Sequence, residues 1–157
     1  MKIISRLTFV PLILFTILCT FTFNNRVKAL YNPTSYYDAI SWIYTYDATY
    51  TPSYNCLGWA TGSMTWEWPS LWGSAATKSQ VDAYLISKGY YSVSSTSTVK
   101  KIIAYGSSTS SIVHFAKVNS GAVSAKWGQL ERFTHGISIN PYISTGVYGS
   151  SRAYYAK

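Results

Sequence analysis

From residue 90 onward the chain is a series of short runs in which apolar and polar positions alternate, at 90–93, 99–105, 112–118, 122–125, 137–139 and 147–155. Alternation is the period of a half-buried strand, and the serine, threonine and glycine clusters between the runs suit turns. Asn119-Ser120-Gly121 is a hairpin signal between the third and fourth runs. Upstream the spacing becomes helical. Val81, Tyr84 and Leu85 share a face of a helix predicted over 79–88, with Ser79 and Asp82 at its start and Lys88-Gly89 at its stop. A shorter helix begins near Cys56, capped by Ser53 or Asn55, carries Leu57, Trp59 and Ala60, and is broken by Thr61-Gly62-Ser63. Residues 38–43 fit a further short helix after Pro33. Trp66-Glu67-Trp68-Pro69-Ser70-Leu71-Trp72-Gly73 has no period and reads as an irregular loop. Helices first and an antiparallel meander afterwards predict an α+β domain.

Residues 1–29 read as an export signal: Lys2 and Arg6, an apolar run over 7–23, then Val27-Lys28-Ala29 at a small-residue cleavage site. This predicts a secreted protein whose single domain spans 30–157. Cys19 falls inside the signal, so the domain holds one cysteine and no internal disulfide. Nine Lys and Arg against five Asp and Glu leave the domain at about +4, a balance suited to an anionic cell-envelope surface. No basic run is longer than Lys100-Lys101, which argues against nucleic acid as a partner. All fifteen tyrosines and six tryptophans lie in the domain, enough broad rings to line a groove as well as fill a core.

The candidate chemistry centres on Tyr54-Asn55-Cys56-Leu57-Gly58-Trp59-Ala60. A thiol at a helix start has its thiolate favoured by unpaired N–H groups, against the ordinary alternative of a small buried core residue. His114 alternates with Ala116 and Val118 on one face of its run, where it is a candidate general base or a hydrogen-bonded core histidine. His135, before Gly136, is a candidate to orient His114, and Ser124 is its rival across the hairpin; a surface histidine in a turn is the bland alternative. No paired carboxylates or compact metal-ligand spacing stand out, so no cofactor and no metal are expected. Trp66, Trp68 and Trp72 either wall a substrate groove or cover the core.

Taken in order, Asn55-Cys56-Leu57-Gly58-Trp59-Ala60, Trp68-Pro69, Gly89-Tyr90, His114-Phe115-Ala116, Ser124-Ala125-Lys126-Trp127-Gly128, His135 and Tyr148-Gly149 resemble a less characterised branch of the small bacterial papain-like peptidases and amidases, the NlpC and CHAP families. The extra Ala125 departs from that pattern, and no oxyanion glutamine precedes Cys56. The resemblance implies a papain-like fold, with N-terminal helices and the cysteine helix packed on the meander. It also implies Cys56 as nucleophile, His114 as base and His135 as third member. The expected function is a secreted thiol hydrolase cleaving an amide in a peptide or peptidoglycan-like substrate, with no stable protein partner. Two alternatives stand beside it: a non-catalytic binding or toxin-like module gripping a glycan through its aromatic groove, and acyl transfer to an amine in place of water.

Overall fold

The computed structural model describes residues 30–157; the export signal read over 1–29, with Cys19, lies outside the described residues. The chain opens with α1 (Thr34–Asp38) and β1 (Tyr44–Ala48), followed by α2 (Cys56–Thr61), a 3₁₀ turn at Ser70–Trp72 and α3 (Lys78–Ser87). Strands β2 (Tyr91–Val93), β3 (Ile102–Ser108), β4 (Ser111–Asn119), β5 (Ala122–Lys126) and β6 (Arg132–Gly136) come next, then α4 (Tyr142–Thr145) and β7 (Ser150–Ala156). All seven strands join one antiparallel sheet in the order β1-β6-β5-β4-β3-β7-β2.

This architecture overturns the expected papain-like α+β fold. The described chain is mostly one antiparallel sheet, and the helices on it are few and short. The miss has identifiable causes. Residues 38–43 do not form a helix; they close α1 and lead into β1, whose Tyr44, Thr45 and Tyr46 are strand formers that pair with β6. The strand expected at 137–139 lies earlier, at 132–136, where it pairs on both edges. The last strand inserts between β3 and β2, so a tail segment becomes an interior strand.

Other local signals hold. Ser120 and Gly121 both take positive φ (42° and 85°) at the β4–β5 turn, as the tight hairpin requires. The helix expected over 79–88 is α3, beginning one residue earlier, but its capping box is Thr77 with Gln80, not Ser79 with Asp82.

Both faces of the sheet are covered. Ile102 and Ala104 of β3 join a core with Leu57, Ala60, Trp72, Val81, Leu85 and Phe115, on the α2 and α3 side. Ile103 and Tyr105, which alternate with them, join a second core with Tyr37, Ala116, Trp127, Phe133 and Tyr142. Double-sided burial explains why β3 reads as a nearly unbroken buried run.

Candidate active site

Asn55 builds the site. Its Oδ1 accepts the Gly58 N–H at 3.0 Å, capping α2, and the Glu67 N–H at 3.2 Å, while its Nδ2 donates to the Glu67 carbonyl at 2.7 Å. One buried amide thus locks the cysteine helix to the tryptophan loop, with Trp66 and Trp68 flanking the bonded residue. Gly58 permits the close approach: a Cβ there would lie 1.9 Å from the Thr65 carbonyl oxygen. The Glu67 carboxylate accepts from Lys88 at 2.9 Å and Thr61 at 2.8 Å. Burial pushes that carboxyl up, and these bonds hold it below its ordinary value.

Above α2 lies an open groove of about 260 Å³, lined by Cys56, Trp66, Trp68, Val113 and Gly128 among others. Trp66 is 51% exposed, Trp68 is half-buried with its Nε1–H on the Gly73 carbonyl, and Trp72 is core against Phe115 and Tyr84. Two of the three tryptophans wall the groove, and the third fills the interior.

Cys56 sits at the first residue of α2 but is only 5% exposed. Burial pushes its thiol up to about 11, against the lowering expected from a helix start; backbone hydrogen bonding at Phe115, Leu57 and Cys56 and the charge of Lys126 oppose the rise and lose. A six-residue helix offers too little to outweigh desolvation.

His114, on β4 immediately before Phe115, is fully buried. Its Nε2 meets the Tyr142 hydroxyl at 3.1 Å, and the Tyr148 ring stacks flat on the imidazole with centroids 3.9 Å apart and planes 6° from parallel. Among the described residues its Nδ1 has no hydrogen-bond partner, the Cys56 sulfur included. Burial, with a smaller contribution from His135, pushes the imidazole down to about 3, so the ring is neutral.

His135 lies on β6, not in a turn, and donates Nδ1–H to the Gly136 carbonyl at 2.9 Å, leaving Nε2 without a partner among the described residues. Burial also lowers its pKa. It is not bonded to His114; the Tyr142 ring has its centroid 4.8 Å from His114 and 6.3 Å from His135. Ser124 is engaged elsewhere, donating to Asp47 at 3.0 Å.

The contact expected of His135 or Ser124 is therefore made by Tyr142, which sequence reasoning missed. Tyr142 follows Asn140-Pro141 with no periodic signal, whereas Tyr148-Gly149 was visible as a motif without a role. Lys126, fully buried, points its ammonium at the Tyr54 ring and donates to the Leu130 carbonyl; burial pushes it down to about 8.

A family model matches residues 45–156, which takes in α2, the groove and both histidines. The chain belongs to the DUF7689 family, a domain of unknown function. No curated protein and no solved structure matches it. Nothing in these comparisons links the DUF7689 domain to papain-like peptidases. Among the described residues no group of three or more His, Cys, Asp or Glu side chains could hold a metal ion, and no helix is long and apolar enough to cross a membrane.

Proposed function

We propose that the domain is a thiol hydrolase acting on an amide bond, with Cys56 as nucleophile and His114 as base, and with a peptide of the cell-wall kind as substrate. The observation that supports this is that two features fall at neighbouring residues of β4. The sulfur lies in an open tryptophan-walled groove and against the backbone of Phe115, and the ring of His114, the residue before Phe115 on β4, is clamped by Tyr142 and Tyr148 with Nδ1 unengaged among the described residues.

In the resting state both groups are neutral. A carbonyl bound between Trp66 and Trp68 is attacked by the sulfur as the thiol proton passes to Nδ1 of His114. Nε2–H then donates to the Tyr142 oxygen, and the face of Tyr148 favours the imidazolium that forms. The tetrahedral intermediate collapses, the proton moves to the departing amine, and water hydrolyses the thioester to restore the thiol. Lys126 contributes a fixed positive charge near the developing thiolate. Cys56→Ala is expected to abolish amine release from isolated cell walls while far-ultraviolet circular dichroism stays unchanged; an undiminished rate would refute the assignment.

A second reading is favoured by the 5% exposure of the thiol: a binding module that grips a glycan or peptide with Trp66 and Trp68 and performs no turnover. Iodoacetamide separates the two. A nucleophile is alkylated in the native protein at neutral pH and more slowly in His114→Ala, whereas a core thiol reacts only on unfolding.

A further inference from the structure

On the sheet face away from α2 and α3, two hollows lie side by side. The larger, about 400 Å³, is lined by Thr96, Ser97, Thr98, Ser120, Lys100 and Lys101 among others. The smaller, about 210 Å³, is lined by Ser138, Asn140, Ser151 and Tyr154 among others. They share Lys100 and Ile137, so they make one trough, and neither shares a residue with the groove over Cys56.

The lining is rich in hydroxyls and free of carboxylates. All five acidic residues are committed elsewhere: Asp38 to Tyr44, Asp47 to Ser124, Thr134 and Arg132, Glu67 to Lys88, Asp82 to Lys78 and Tyr155, and Glu131 to Tyr37. Lys100 and Lys101 are therefore adjacent cations with no carboxylate near them in the trough. Lys100 is held at the junction of the hollows, its ammonium donating to the Ser95 carbonyl and lying 5.4 Å from the Tyr154 ring centroid. Lys101 is exposed. An anion entering the trough meets positive charge without repulsion, and hydroxyl donors and acceptors along its walls.

A nucleic acid fits this lining poorly. Stacking needs an open aromatic plane, but Tyr105 is 3% exposed and the Tyr154 ring already faces the Lys100 ammonium.

We propose that the trough binds an anionic polyol chain of the poly(glycerol phosphate) type, its phosphates at Lys100 and Lys101 and its hydroxyls on the serine and threonine walls. Such a site would hold the protein at an anionic envelope polymer, whether or not Cys56 is a nucleophile.

The test is isothermal titration of the whole chain with poly(glycerol phosphate). Replacing both lysines, Lys100→Ala with Lys101→Ala, is expected to weaken binding about tenfold, and the corresponding Lys→Arg pair to restore it. Thr96→Val with Thr98→Val keeps the charge and removes two hydroxyls; a loss of about threefold is expected for lost hydrogen bonds. Wild-type affinity in the alanine pair would overturn the site. Wild-type affinity in the valine pair, or equal binding of duplex DNA at the same phosphate concentration, would overturn the polyol assignment.

Discussion

Tyr142→Phe isolates the contact that replaces the expected histidine pair. The ring is fully buried and packs edge-on against Tyr105, His114 and Tyr148, with centroids 4.8, 4.8 and 5.2 Å away. Phenylalanine keeps that packing and removes only the hydroxyl. His114 then has neither ring nitrogen bonded, since Nδ1 has no partner already. Leaving a buried polar atom unsatisfied costs about 1–3 kcal/mol, because water cannot reach it to compensate. The Tyr142 hydroxyl also meets Trp127, so the part of the loss that belongs to the His114 pair is read by a double-mutant cycle with His114→Phe, which should show a coupling of about 1 kcal/mol. Urea unfolding followed by tryptophan fluorescence measures all four proteins, and unchanged m-values would show that compactness is not what moved. Additivity within about 0.3 kcal/mol would refute the reasoning, since the two side chains would then contribute independently.

Three further outcomes are expected. His114 and His135 are both depressed by burial, so the unfolded chain binds protons first as pH falls; their stabilisation is complete above about pH 6.5 and declines below it by about 1.4 kcal/mol per pH unit for each fully suppressed histidine. Urea midpoints should therefore fall between about pH 6.5 and about pH 5, and a rise there would contradict the buried neutral rings. Gly58→Ala forces a Cβ into the Thr65 carbonyl and should cost about 3 kcal/mol; a melting temperature equal to wild type would show that the loop yields freely. Trp72→Ala should cost about 3–5 kcal/mol as a core deletion, whereas Trp66→Ala should leave stability within about 0.5 kcal/mol and weaken whatever occupies the groove; equal destabilisation by the two would refute the division of the tryptophan loop.

Short-range features of the fold were legible from the residues themselves. The Asn55 cap, the helix carrying Val81 and Leu85, the Asn119-Ser120-Gly121 hairpin and the alternation around His114 each depend on neighbours a few positions away. Such signals state what the backbone does locally and which side chains share a face. They do not state which distant strand lies alongside, and there the papain-like expectation failed: β1 is recognisable only through its pairing with Arg132–Gly136. The site divides in the same way. Cys56 at a helix start and His114 on a buried strand face followed from local pattern. Its electrostatics did not, because desolvation sums over every group packed around the sulfur and the ring, whatever its distance along the chain. Tyr142, 28 residues beyond His114, meets it only because α4 folds back over the sheet. Local sequence thus set the elements and their faces, and tertiary packing alone decided the sheet order, the neutral state of the thiol and imidazole, and the partner that holds His114.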